Sequence, residues 1–282
     1  MDRQPVSVIT SYQFNISFYV QYSLLLVISA FFLITGQVKA STEFKLPPGH
    51  KSSYSIEKYG TDVGNMYNEL NLQNNQVQYI SHTKATGFAS LFVKNDLVET
   101  SVLNWFHKGA TKTLQQQSYQ LFRGEKHRKN QSISFDWSDA AAIKITGSYK
   151  NNTYTISSQQ AVWGRHLLPL IMSNELQTDN KTTTNTFYIT DKGGRQLYTY
   201  TLEKSETLAF SDKDYPVLKF SINREGSNRM SYIWLSREHY YLPLKIEQYK
   251  DGKLNVSMLI TSFTTNNGTQ QDRFEKEADY DD

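Results

Sequence analysis

Residues 229–263 read RMSYIWLSREHYYLPLKIEQYKDGKLNVSMLITSF. Met230, Tyr232 and Trp234 alternate with polar or smaller neighbours, the two-residue period of a strand with one buried face. Leu242, Leu244 and Ile246 repeat the pattern, and so do Leu254, Val256, Met258 and Ile260. Lys250-Asp251-Gly252-Lys253 separates the last two runs. Asp-Gly accepts the positive φ angles of a type I′ turn, whose twist matches that of flanking antiparallel strands. The stretch is a β-meander, so the rest of the chain must extend it and cover its apolar face.

Upstream, the same period returns. Leu218, Phe220 and Ile222 align before Glu225-Gly226, and Tyr198, Tyr200 and Leu202 follow a turn at Gly193-Gly194. Nearer the start, Tyr54 and Ile56 lead into a turn over 60–64. Met66, Leu70 and Leu72 mark a second strand, Asn74-Asn75 a tight turn, and Val77 and Tyr79 a third strand. Strands are also expected over 95–105, 114–122, 132–137 and 142–149, with the basic run 123–129 as a loop. Two stretches break the alternation. Phe88, Leu91 and Phe92 are spaced as in a helical turn after a Thr86 cap. From 158 to 177, Trp163, Leu167, Leu170 and Ile171 form a helical stripe, with Pro169 setting its start near His166 or kinking it.

The expected fold class is therefore all-β with one internal helix. It is a single antiparallel curved sheet or half-open barrel of about ten or more strands, covered by a helix over 158–177. Its 282 residues are 13% aromatic, with 19 Tyr, which suits pleated, half-buried surfaces. Cysteine is absent, which removes thiol chemistry and disulfides. The net charge of +3 is too mild to argue for an anionic partner.

The N-terminus carries an address. SLLLVISAFFLIT over 23–35 is uncharged, and Val38 and Ala40 are small residues at the −3 and −1 positions of a cut after Ala40. An apolar run of about 13 residues reads as a signal peptide, since a spanning helix needs roughly 20. The domain plan is thus a signal peptide at 1–40, one β-rich exported domain at 41–265, and a disordered acidic tail at 266–282. Periplasm is the expected compartment, with retention as an uncleaved inner-membrane anchor the alternative.

Several blocks carry a resemblance. They are Tyr59-Gly60 with Val63-Gly64, ATGFASLF from Ala85 to Phe92, SFDW from Ser134 to Trp137, and IWLSREHYYLPLKIEQYKDG from Ile233 to Gly252. In these the chain resembles the bacterial exported family Domain of Unknown Function 3108 over about 46–263. The resemblance implies a periplasmic protein and brings no catalytic residues with it. The strand order around an internal helix also resembles the half-barrel lipoprotein carriers of the periplasm, an analogy of fold alone.

Chemistry-bearing patterns are sparse. The six histidines (His50, His82, His107, His127, His166, His239) show no metal-ligand spacing, so no metal is expected. No nucleophile elbow, phosphate loop or dinucleotide fingerprint occurs, so no cofactor is expected. Glu99, Asp136 and Glu247 sit in or beside strands, where an outward face normally carries such residues. What remains is apolar: Phe88, Leu91, Phe92, Trp163, Leu167 and Ile171 are the candidate ligand-binding residues, lining a groove beside the helix. Ordinary core is the competing reading of the same side chains.

The expected function is a non-catalytic cell-envelope protein that binds an apolar ligand, such as a lipid or acyl chain, in a groove of the curved sheet. Two alternatives stay open. One is a scaffold binding an envelope protein through a sheet edge. The other is a carboxylate-dependent hydrolase acting on glycan or ester. Nucleic acid is not an expected partner, and membrane contact is expected only through an uncleaved signal sequence.

Overall fold

The computed structural model describes residues 44–275, apart from 92–95, 109–110, 125–127, 140 and 211–212. The signal sequence and cleavage site, Phe92 and the last seven residues lie outside the described residues.

Eight strands make the first half: β1 His50–Lys58, β2 Thr61–Gln73, β3 Gln76–Ala85, β4 Leu97–Lys108, β5 Thr111–Phe122, β6 Gln131–Asp136, β7 Ile143–Tyr149 and β8 Asn152–Ser158. A short strand β9 (Val162–Gly164) and a 3-10 turn (Arg165–Leu167) lead into helix α1, Leu168–Thr178. The second half is β10 Thr184–Asp191, β11 Gly194–Ala209, β12 Asp214–Arg224, β13 Arg229–Ser236, β14 Leu242–Lys250, β15 Lys253–Thr265 and β16 Gln271–Arg273.

All sixteen belong to one sheet. From edge to edge the order is β8 down to β1, then β15 down to β9, with β16 paired to β15 off this path. Two meanders thus meet at the β1–β15 ladder, where His50 faces Thr265 and Lys58 faces Val256. The turns are the tight kind that antiparallel twist requires. Asp251 and Gly252 have φ 51° and 74°, and Tyr59 and Gly60 have 52° and 78°. The expected turn over 60–64 is therefore confined to Tyr59-Gly60, and residues 61–64 already run in β2. The expected Gly193-Gly194 turn moves one place back, to Lys192 (φ 52°) and Gly193 (φ 91°).

The sheet curls until its two ends come together, and there side chains replace the backbone ladder. Gly164 N donates to Gln116 Oε1 of β5 at 2.7 Å. Arg195 donates to the Ser158 hydroxyl of β8 at 3.0 Å. The Gln131 amide of β6 donates to Asp191 Oδ1 at 3.1 Å and accepts from Lys192 N at 2.9 Å. The result is a nearly closed barrel-like sheet.

Two apolar clusters follow from this closure. The larger fills the barrel around Leu70, Leu167, Met172, Tyr200, Phe220 and Leu244. The smaller packs β5–β8 against the seam through Tyr119, Ile133, Ile145 and Val162.

Four expectations change. The helix does not span 158–177. It has 11 residues and starts at Leu168, with Pro169 in its first turn, where a missing N–H costs no hydrogen bond. The spacing from Trp163 to Leu167 belongs to a strand passing into a 3-10 turn. The sheet is not wholly antiparallel, because β9 pairs parallel to β10. In β13 it is Ser231 and Ile233 that face the cavity, while Tyr232 and Trp234 lie on the opposite face, where Trp234 is still buried, covered by Lys219 and Lys245. Lastly, residues 266–275 are ordered. Ser262, Phe263 and Thr264 pair with β16, and Phe274 is buried against Phe210 and Tyr215. One apolar side chain in an acidic stretch leaves no period to read.

Candidate functional site

The barrel encloses a cavity of about 380 Å³. It is built by inward-facing positions of at least seven strands plus the start of α1. Met66 of β2, Ile233 of β13, Ile246 of β14 and Met258 of β15 form an apolar wall, with Leu168 and Pro169 contributed by the helix. Helix α1 closes one end of the barrel. Ser173 Oγ donates to the Tyr240 carbonyl at 2.6 Å, just past the far end of β13. At the near end of β13 the cavity reaches solvent, where Lys192 and Arg229 are exposed and Arg224 and Ser227 line the rim.

The wall opposite is polar. Arg165 forms an ion pair with Glu99 at 3.1 Å, and Tyr119 donates to the same carboxylate at 2.6 Å. Burial alone would raise the Glu99 carboxyl; the Arg165 charge and the hydrogen bonds from Tyr119 and Arg165 outweigh it and hold it below its ordinary 4.5. Burial and the same carboxylate push the Tyr119 hydroxyl up, so it remains a donor. His166 stacks on Tyr79 with centroids 4.6 Å apart. Its Nε2 lies 2.7 Å from Ser81 Oγ, and its Nδ1 lies 3.2 Å from Ser101 Oγ. Ser81 Oγ donates onward to Asn68 Oδ1 at 2.6 Å. Burial drives His166 down to about 4 against the opposing pull of Glu99, so the ring is neutral at pH 7.

This chemistry is poor for hydrolysis. A Ser-His pair needs a base with a pKa near working pH and a carboxylate to orient it. His166 is a far weaker base than that, and its second nitrogen meets a hydroxyl. A glycosidase needs one carboxyl held protonated. Glu99 is shifted the other way, and Asp191 pairs with Lys192 at 3.4 Å. Glu175, whose carboxyl burial does raise, lies outside the cavity and accepts from Tyr200. A Ser-His-Asp row does occur elsewhere, Ser236–His239–Asp272, with spacings of 2.9 and 3.2 Å. Ser236 is fully buried, so no substrate reaches it, and the row serves to fasten β16. No cluster of metal-ligating side chains occurs among the described residues.

The sequence-derived candidates are placed elsewhere. Leu167 and Ile171 are buried in the main core, and Trp163 packs beside it against Phe44. Phe88 and Leu91 lie in a 3-10 turn (Gly87–Leu91) after β3, 74% and 67% exposed. None of these five lines the cavity, and Phe92 lies outside the described residues. Glu99, expected on an outward face, points inward; Asp136 is exposed, and Glu247 faces outward with Lys245 at 2.7 Å.

The cavity's polar wall had a signal in the sequence. Asn68, Ser81, Glu99, Ser101 and Gln116 stand in phase with Leu70, Tyr79, Leu103 and Leu114, the core-facing side of their strands. A polar residue on the apolar phase is the informative exception.

A family model described as "Protein of unknown function (DUF3108)" matches residues 53–259. The chain belongs to the DUF3108 family. The DUF3108 segment spans every residue of the cavity wall, from Tyr54 to Met258, and ends before β16. Among solved structures, the DUF3108 chain is similar to the crystal structure of a beta-barrel-like protein of Domain of Unknown Function DUF1849 from Brucella abortus. That likeness has 9% identity, covers 83% of this chain and 100% of the other, and has a TM-score of 0.44. No curated protein matches.

Proposed function

We propose that this protein is a non-catalytic binder of the cell envelope that holds the apolar chain of a lipid-like ligand inside its barrel. The observation carrying this reading is the cavity itself. Its volume of about 380 Å³ lies within the range of small-molecule sites, and a wall of Met66, Ile233, Ile246 and Met258 suits an alkyl chain. Methionines adapt to irregular apolar shapes, which favours a flexible guest. Each methylene removed from water contributes about 0.8 kcal/mol. The poor catalytic geometry of the opposite wall supports binding over turnover. The uncharged run at 23–35 supports export into the periplasm.

The test is native mass spectrometry of protein recovered from the periplasm of an expression host, followed by organic extraction. The wild type should retain host lipid and bind an acyl probe. Met258→Trp, which fills the cavity, should abolish both while the melting transition persists. A folded wild type that carries no lipid and binds no acyl probe defeats the reading. Ester or glycan hydrolysis lost on Glu99→Gln moves the protein to the enzyme class. Intact mass also checks export, since the recovered chain should begin at Ser41.

A further inference from the structure

The charges around the cavity do not cancel. On the polar wall Arg165 is neutralised by Glu99 at 3.1 Å, and Lys192 by Asp191 at 3.4 Å. Two further cations line the cavity, Arg224 at the end of β12 and Arg229 at the start of β13. Among the described residues neither forms a salt bridge. Arg224 donates to neutral acceptors, Gln196 Oε1 at 3.0 Å and Ser227 Oγ at 3.2 Å. Ser227 Oγ also accepts from Arg229 N at 3.1 Å, which ties both residues to one hairpin end. The cavity thus has one apolar wall, a polar wall whose charges are paired internally, and two guanidiniums outside any ion pair at its solvent-facing rim.

A neutral alkyl guest would have no use for those cations. Guanidinium offers a planar fork of donors matched to a carboxylate or phosphate, and such bonds are about twice as strong as neutral ones. Resting on the reading of the cavity as an acyl site, we propose that its ligand is a single-chain anionic amphiphile. Its alkyl tail lies against Met66, Ile246 and Met258, and its acid headgroup is held by Arg224 and Arg229. The headgroup chemistry is an oxyanion, met equally by a fatty carboxylate and by an alkyl phosphate. Binding is reversible, and no bond is made or broken.

Three probes of equal chain length separate the contributions: laurate, dodecyl phosphate and dodecanol, each competed against an acyl fluorophore at neutral pH. Both acids should bind at least tenfold more tightly than dodecanol. Arg229→Gln, at an exposed position, should erase that preference and leave dodecanol binding unchanged. Arg224→Lys keeps the charge but loses the fork, and should weaken the acids by severalfold. The ratio of laurate to dodecyl phosphate identifies the source of the oxyanion. Equal binding of acids and alcohol, untouched by Arg229→Gln, overturns the headgroup site while the acyl cavity stands. Failure of all three probes to bind folded protein overturns both.

Discussion

Glu99 on β4 and Arg165 in the turn before α1 hold an ion pair at 3.1 Å across the place where the curled sheet meets itself. They lie 66 residues apart in sequence, and the pair joins the first meander to the helix that caps the barrel. Removing one member leaves the other beside an apolar cavity. Arg165 keeps 38% of its side-chain surface accessible, so the cost falls below that of a fully enclosed pair. Glu99→Gln should lower unfolding stability by about 2 kcal/mol, and Glu99→Gln with Arg165→Met should recover part of it. Denaturant titration of the single and double variants checks this. Additive losses would show that the two side chains do not act as a pair.

Acid should weaken the fold in two stages. Burial holds His50 and His166 down to about 4, from an ordinary 6.5, and lowers His239 as well. A folded value below the unfolded one means the unfolded chain takes up protons first as pH falls. The stability is whole above about pH 6.5 and is lost between 6.5 and 4, at up to about 3 kcal/mol for each fully depressed histidine. Below about 4.5 the Glu99 carboxylate follows, because it too is shifted downward. Denaturation midpoints at pH 7.5, 5.5 and 4.5 should fall steadily, and His166→Asn should flatten the upper stage. A midpoint that holds from 7.5 to 4.5 contradicts the buried-histidine account.

The segment after β15 is structural. Phe274 is 3% exposed and sits 5.1 Å from Phe210 and 5.0 Å from Tyr215, ring centre to ring centre. Phe274→Ala should cost about 3–4 kcal/mol through the void it leaves. Thermal melting reads this directly, and a transition unmoved by the substitution would mean that β16 does not dock in solution.

Two glycines should respond for opposite reasons. Gly252 has φ 74° and open space around a hypothetical Cβ, so its demand is purely conformational. Gly252→Val should cost about 1–3 kcal/mol. Gly64 has no such φ, yet a Cβ there would stand 2.3 Å from the Lys84 carbonyl oxygen. Gly64→Ala should disturb the β2–β3 ladder, and hydrogen exchange should rise across 61–85. Unchanged protection there would count against that close approach.

Much of the fold was readable because periodicity is a property of neighbours in the chain. The β13–β15 meander, its Asp251-Gly252 turn and the apolar stripe of Leu167, Leu170 and Ile171 all lie within short windows. Leu167→Glu or Ile171→Glu should therefore unfold the domain, since both sites are core. The cavity was harder. Its polar wall assembles Asn68, Ser81, Glu99 and His166 from four separate elements, and each alone looks like a stray polar residue. Closure of the barrel, which brings them together, depends on long-range contacts such as Gly164 with Gln116 that no local pattern encodes. Phe88 and Leu91 stand exposed and away from the cavity, a placement the sequence does not reveal because exposed and buried apolar residues read alike there.

The ladder between β1 and β15 joins residues about 200 positions apart at the middle of the sheet. A ribosome making this chain N-terminus first releases β1–β8 long before β15 exists. Each meander assembles from local hairpins, but their union is delayed by the entropy of closing so long a loop. During that interval β1 presents an unpaired edge, with Tyr54 and Ile56 uncovered beside it. Nascent chains stopped before 253 should bind chaperones and aggregate, whereas chains released past 275 should not.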